Sequence, residues 1–156
     1  MVRYLLKIRK QRDHNLNIML FPKKVKHRKW QSARKNPKKR MVASRGTELA
    51  FGSFGLKATT QGRVRSNQIE ASRRVMRHFI SKTGNIWTRV FPDRPYTAKA
   101  AEVGMGKGKG DPQGYCSDIE PGRVIFEIDG MDEKTAKEAL RKAGAKLPIK
   151  TKFIAR

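Results

Sequence analysis

The stretch SNQIEASRRVMRHFISKTGNIWTRVF, Ser66 to Phe91, changes its hydrophobic period part-way along. In its first part Ile69, Ser72, Val75, Met76, Phe79 and Ile80 fall on one stripe at helical spacing. Ser66 or Asn67 can cap that helix, Glu70 sits in its first turn, and Gly84 can end it. From Asn85 the period becomes two. Ile86, Thr88 and Val90 face one way and Trp87, Arg89 and Phe91 the other, as in a strand. A helix followed directly by a strand sets the theme for the chain.

Upstream, FGSFGLKA (51–58) places Gly52 and Gly55 between aromatics, which predicts a bend or bulge. Downstream, PDRPY (92–96) stops the strand, because proline removes ladder donors. GRVIFEIDG (122–130) reads as a strand with Val124, Phe126 and Ile128 on one face. MDEKTAKEALRKAGAK (131–146) reads as a second helix capped by Asp132, with Ala136, Ala139, Leu140 and Ala143 inward. TKFIA (151–155) supplies a final strand. Helices and strands mix without regular alternation, so an α+β fold with two main helices is expected rather than a parallel α/β sheet.

Charge decides the class of partner. The 156 residues hold 37 Lys+Arg against 13 Asp+Glu, a formal net charge of +24. Self-repulsion of that size opposes compaction, so the chain calls for a polyanion, nucleic acid before membrane. Sixteen of the bases precede Thr47, where Asp13 is the only acid. A basic arm joined to a basic globular domain is the simplest parse. Too poor in apolar residues to fold alone, the arm is expected to order against its partner. No run approaches the ~18 apolar residues of a spanning helix. The N-terminal MVRYLLKIRK suits neither a secretory signal nor, with Asp13 and no serine, a transit peptide. The lone Cys116 fits a reducing cytosol and reads as a small buried residue, and His14, His27 and His78 are too scattered for a zinc site.

An enzymatic reading finds little support. GMGKGKG (104–110) looks like a phosphate cradle, but each lysine is followed by glycine rather than Ser or Thr. Asp111 and Pro112 stand where a nucleotide-binding helix would open. No spacing forces two carboxylates together among Asp93, Glu102, Asp111, Asp118 and Glu120, and no serine sits in a nucleophile elbow. No cofactor is expected. The loop is instead a flexible probe with Lys107 and Lys109 as its only charges. Arg73, Arg74 and Arg77, opposite the apolar stripe of the first helix, are either a solvated face or, given +24, a phosphate-facing one. Trp30, among His27, Arg28 and Lys29, either stacks on unpaired bases or anchors the arm.

The segments FGSFGLKA (51–58), GRVRSNQIEASRRVMR (62–77), GNIWTRVFPDRP (84–95), MGKGKG (105–110), EPGRVIFEIDG (120–130) and AKLPIKTKF (145–153) occur in order and at characteristic intervals. As a set they closely resemble the bacterial ribosomal large-subunit protein L-sixteen family, related to the archaeal and eukaryotic L-ten-e proteins. The likeness runs from about Met19 to Ile154. It implies a hammerhead-type α+β fold with a mixed sheet, and no enzymatic activity. It further implies binding to large-subunit rRNA near the central protuberance, proximity to the A- and P-site tRNAs, and roles in late assembly and tRNA accommodation. Neighbouring ribosomal proteins are implied as partners, a homo-oligomer is not, and the location is the cytoplasmic ribosome rather than an organellar one.

Carried to this chain, the resemblance implies three regions: residues 1–18 as an extension, 19–46 as the rRNA-binding arm, and 47–156 as the globular domain, with the glycine-lysine loop at 104–114. It assigns rRNA contacts to Lys23, Lys24, Lys26, Arg28, Lys29, Arg34, Lys38, Lys39, Arg40 and Arg45 in the arm. Arg63, Arg65, Arg73, Arg74 and Arg77 carry them in the domain. Met105, Gly106, Lys107, Gly108, Lys109 and Gly110 form the loop that extends towards tRNA. Three departures stand out. Met1 to Ile18 is either a genuine extension or a start assigned too far upstream, the second being preferred. Gly104 replaces an arginine common in the family. Gly114, Ser117 and Asp118 make the GYCSDI strand unusually polar. The reading from charge alone also leaves room for a free-standing nucleic-acid chaperone or DNA-compacting protein.

Overall fold

The computed structural model describes residues 20–31, 41–80 and 84–156. The 1–18 extension and the arm residues Arg34, Lys38, Lys39 and Arg40 lie outside the described residues. Among the described residues, seven strands and two helices follow in the order β1 (Phe54–Ala58), β2 (Gly62–Arg65), α1 (Ser66–Phe79), β3 (Asn85–Thr88), β4 (Arg94–Ala98), β5 (Asp111–Ile119), β6 (Val124–Asp129), α2 (Glu133–Gly144) and β7 (Thr151–Ala155). The α+β class is as expected. The strands divide into a four-stranded sheet, β3-β6-β1-β7, and a three-stranded sheet, β2-β5-β4, with every ladder antiparallel.

The main core lies where α1 and α2 pack on each other and on the four-stranded sheet. Ile69, Ser72 and Met76 of α1 are buried, and Val75 and Phe79 flank them half-buried. Ala136, Ala139, Leu140 and Ala143 of α2 are buried. The alanines let the helices approach closely enough for the Ser72 hydroxyl to donate to the Ala143 carbonyl at 3.1 Å. Asp132 caps α2 as read from the sequence, accepting from the Thr135 amide at 3.2 Å.

Several expectations need correction. The N-cap of α1 is Arg65 rather than Ser66 or Asn67, and Gln68 accepts the Arg65 amide at 2.9 Å. Glu70 therefore lies beyond the first turn, where it meets arginines instead of the helix end. The helix stops at Phe79, before Gly84, with extended backbone at Ile80. β3 ends at Thr88, three residues short of Phe91. As expected, β3 does not continue through PDRPY, but a new strand, β4 (Arg94–Ala98), opens inside that segment. β4 is an edge strand, where a proline need not donate on the open side. The segment GRVR, for which the sequence suggested no strand, forms β2.

β6 supplies the largest difference from the alternating pattern. Val124, Ile125, Phe126, Glu127 and Ile128 are all buried, so both faces of this central strand are covered. Phe126 and Ile128 turn to the core side. On the other face, residues 46–53 fold back over the sheet. Gly55 permits this closeness: a Cβ there would sit 2.4 Å from Leu49 Cδ2. Gly52 likewise lies against β6, where a Cβ would come 2.6 Å from the Ile128 carbonyl oxygen.

The glutamate buried under this fold-back is fully satisfied. Glu127 accepts backbone N–H groups from Ala50 (3.1 Å), Phe51 (2.7 Å) and Gly52 (2.9 Å) and pairs with Arg89. Burial alone would push its carboxyl up. The Gly52 and Phe51 amides, Arg89 and the Ala50 amide outweigh that and hold it below the usual range. Phe51 stacks on Trp87 outside this clamp, at 6.1 Å between ring centroids, with the Arg89 guanidinium 5.0 Å over the Phe51 ring.

Candidate nucleic-acid interface

The three-stranded sheet turns its apolar face inward through Val64, Pro95 and Ile119. Its register puts Arg63 opposite Asp118, and Arg65 and Arg94 on either side of Cys116. Directly opposed residues share a face, so β2 and β4 hold three guanidinium groups on one side of the sheet. Asp118 binds two of them. Arg63 Nε donates to Oδ1 at 3.1 Å, while Arg94 pairs with Oδ2. Arg65 stacks over Tyr96 at 4.8 Å, and Tyr96 in turn lies over Gly114, where a Cβ would be 3.1 Å from the ring. The polar character of GYCSDI thus has local causes: Asp118 braces arginines and Gly114 makes room for the tyrosine. Cys116 is buried, as the sequence suggested. Burial pushes its thiol up and Asp118 adds to that, against the pull of the three arginines.

On α1, Glu70 divides the three arginines into unequal members. Arg73 meets it with two bonds, Nε to Oε2 at 2.8 Å and Nη2 to Oε1 at 2.7 Å, and Arg74 adds Nε to Oε1 at 3.1 Å. The Arg73 hydrogen bond draws the Glu70 carboxyl below its ordinary range despite partial burial, and the pairing raises Arg73 in turn. Arg77 is exposed and makes no hydrogen bond or ion pair among the described residues. Among the described residues, the helix therefore presents two braced guanidinium groups and one uncommitted one.

The described part of the arm, residues 20–31, docks on the globular domain. Contacts with the domain supply what the sparse apolar residues of the arm could not form by themselves. Leu20 packs against the core and Phe21 meets Tyr115 edge-on at 5.6 Å. Lys29 donates to the Lys109 carbonyl at 3.2 Å and pairs with Asp111 at 3.5 Å. Lys109 donates back to the Trp30 carbonyl, and Arg94 donates to the Gln31 carbonyl at 3.2 Å. Trp30 thus sits where the arm is anchored, with Arg94 5.9 Å from its ring centroid, yet the ring keeps 42% exposure. Lys23, Lys24, Lys26 and Arg28 are exposed along the arm, and Arg45 is exposed where the chain re-enters the domain.

The glycine-lysine loop joins β4 to β5, and residues 100–109 are exposed throughout. Gly106, Lys107 and Gly108 take positive φ in succession (93°, 52° and 88°), a run that glycine makes accessible. Lys99 caps the curl by donating to the Gly104 carbonyl at 3.4 Å and to that of Gly106. Met105 is 99% exposed at the tip. The two lysines separate here: Lys109 is turned back to the arm, whereas Lys107 makes no bond among the described residues. Gly104 has no neighbour within 4 Å of a Cβ position, so nothing in the fold demands glycine there.

Basic side chains therefore gather from the arm, β2, β4 and α1 on a chain whose sequence shows no catalytic constellation. Residues 22–154 match the family described as ribosomal protein L16p/L10e. The chain belongs to the L16p/L10e family. It is also 51% identical over 138 residues to the large ribosomal subunit protein uL16 of Halorhodospira halophila, an alignment spanning 88% of this chain and 98% of that protein. A ribosomal protein's partner is expected to be polyanionic, and the distribution of bases in this family member fits that. Sequence reading missed Arg94 as part of the cluster and Glu127 as the clamp that holds residues 50–52 on the four-stranded sheet. Arg94 was hidden because it follows two breakers and seemed to lie in a loop. The signal for Glu127 was present: an acid inside VIFEI (124–128), where every other residue is apolar.

Proposed function

We propose that the chain is a structural component of the large ribosomal subunit in the cytoplasm, binding large-subunit rRNA and extending its glycine-lysine loop towards the A- and P-site tRNAs. The observation that carries the reading is the gathering of Arg63, Arg65 and Arg94 on one sheet face beside the docked basic arm. Multiple guanidinium and ammonium groups displace condensed counterions from phosphates and bind with strong salt dependence. Arg77, with Arg73 and Arg74 beside it, extends the rRNA-facing surface; Lys23, Lys24, Lys26, Arg28, Lys29 and Arg45 continue it along the arm, as do Arg34, Lys38, Lys39 and Arg40 beyond the described residues. The loop from Met105 to Gly110 suits reach rather than packing, since residues 100–109 are exposed and nothing lies within 4 Å of a Cβ position at Gly106 or Gly108. Neighbouring large-subunit proteins complete the setting, and the role proposed is late assembly and tRNA accommodation rather than catalysis.

The test is sedimentation. Tagged chain should co-migrate with large subunits through a sucrose gradient in high salt; a chain found mainly free, or on DNA, refutes the proposal. Within assembled ribosomes, neutralising Arg73, Arg74 and Arg77 together should deplete mature large subunits, whereas neutralising Lys107 and Lys109 should impair tRNA-dependent steps more. Equal subunit profiles from both sets would remove that division of labour.

A further inference from the structure

Between the arm and the β3–β4 connection lies a cavity of about 600 Å³, within the size range of small-ligand pockets. Trp30 and Phe91 stand in its wall, and both are large apolar rings left substantially in water, 42% and 48% exposed. Their neighbours are charged. Arg45, Arg94 and Arg123 line the same cavity, and so do Asp93 and Glu120. Arg94 is committed to Asp118, and Arg123 donates to the Arg45 carbonyl at 3.0 Å, which fixes that cation at the rim. Asp93 and Glu120 make no ion pair with the described residues. Exposed aromatic rings, fixed cations and unspent carboxylates around one hollow match the three parts of a nucleotide: a flat base, its phosphate and the exocyclic donors of its edge.

We propose that this cavity receives one unpaired RNA base, stacked against Trp30 or Phe91, with its phosphate near Arg45 and Arg123 and its amino edge towards Asp93 or Glu120. The inference deepens the RNA-binding reading and rests on it. It differs in kind from the charge-based contacts of the arm and helix, because it requires a base as well as a phosphate. A neighbouring protein's side chain in the same hollow would need no base and is separated by the experiment below.

The chain has two tryptophans, Trp30 and Trp87. Trp87→Phe in the full-length protein leaves Trp30 as the sole reporter in the cavity. Titration with a five-nucleotide adenylate RNA should quench its emission, while an abasic strand of equal length and charge should bind without quenching. Phe91→Ala should weaken adenylate binding about tenfold and leave abasic affinity unchanged, with an unchanged circular dichroism spectrum showing that the variant is folded. Equal quenching by both strands, or equal loss of both affinities in Phe91→Ala, overturns the inference and leaves a purely electrostatic surface. Because the reading under Proposed function stands or falls on co-sedimentation with large subunits, that result and this one fail independently.

Discussion

Replacing Glu127 tests whether the fold-back of residues 46–53 is held by one carboxylate. The side chain has 0% exposure and serves three backbone donors and one guanidinium. In Glu127→Ala the Ala50, Phe51 and Gly52 amides lose their acceptor and Arg89 loses its counter-ion, with a cavity left on the strand. Breaking a buried charge pair from one side costs about 3–5 kcal/mol, and stranded amides act in the same direction. For a chain of this size that corresponds to a fall in Tm of roughly 10 °C. Glu127→Gln keeps the shape and one acceptor oxygen but loses the charge that strengthens every bond, so about half that loss is expected, since bonds to charged groups contribute about 1.5–3 kcal/mol each.

Arg89→Met provides the internal control. Its side chain is 21% exposed, and its loss leaves Glu127 with all three amides. It should therefore cost clearly less than Glu127→Ala. Urea unfolding followed by circular dichroism gives the three values, and aromatic near-ultraviolet signal reports the Phe51–Trp87 stack, which should weaken before global unfolding in the glutamate variants. A loss below about 1 kcal/mol for Glu127→Ala, or Arg89→Met costing as much, would show that the amides are not what the carboxylate holds, given the range expected for removing one partner of a buried pair.

Acid should act through the same group. Glu70 and Glu127 both lie below their ordinary value of 4.5 in the folded chain. Their stabilisation is therefore complete above that value and is lost as pH falls through the lower folded ones; an isolated-chain melt should be flat from pH 7 to about 5 and fall below about 4.5. Glu127→Gln should flatten that acid limb, and an unchanged limb would remove Glu127 as its source. Arg77→Gln should lower the salt slope of RNA binding by about one, while Arg73→Gln, whose charge Glu70 already offsets, should lower it less; filter binding across a salt series checks both. Gly52→Ala should destabilise the fold, because its Cβ meets the Ile128 carbonyl at 2.6 Å, whereas Gly104→Arg should leave the melting temperature unchanged.

Helical stripes were legible because one periodic face meets one core: Ile69, Ser72 and Met76, and the alanines of α2, lie where their spacing puts them. Boundaries were less so. Arg65 caps α1 through backbone geometry that β2 imposes from the preceding residues, which no cap preference at Ser66 or Asn67 encodes. β4 escaped notice because proline is excluded only from strands with neighbours on both sides, and an edge position is a property of the assembled sheet. The partners of Glu127 were hidden for a related reason: they lie about 76 residues away, on a segment whose two glycines suggest a simple bend. Charge clustering was visible as composition, but its pairing was not. That Glu70 occupies Arg73 and leaves Arg77 uncommitted depends on rotamers and on where the helix begins.

The glycine-lysine loop carries the same lesson to the level of function. From sequence, Lys107 and Lys109 are equivalent tips of one flexible probe. In the structure Lys109 belongs to the base of the loop, donating to the Trp30 carbonyl while Lys29 donates to its own, so arm and loop share one junction. Lys107, at φ 52° between two glycines, points outward with Met105. If this division holds, Lys107→Gln should impair a tRNA-dependent step in reconstituted ribosomes with the loop's anchoring intact. Lys109→Gln should instead raise protease sensitivity of both the loop and the arm near Trp30 in the isolated chain. Matching effects of the two variants in both assays would restore the simpler picture of interchangeable charges. With separate effects, adding a cation by Gly104→Arg becomes informative, since the open surroundings of Gly104 let any gain in RNA contact appear without a change in fold.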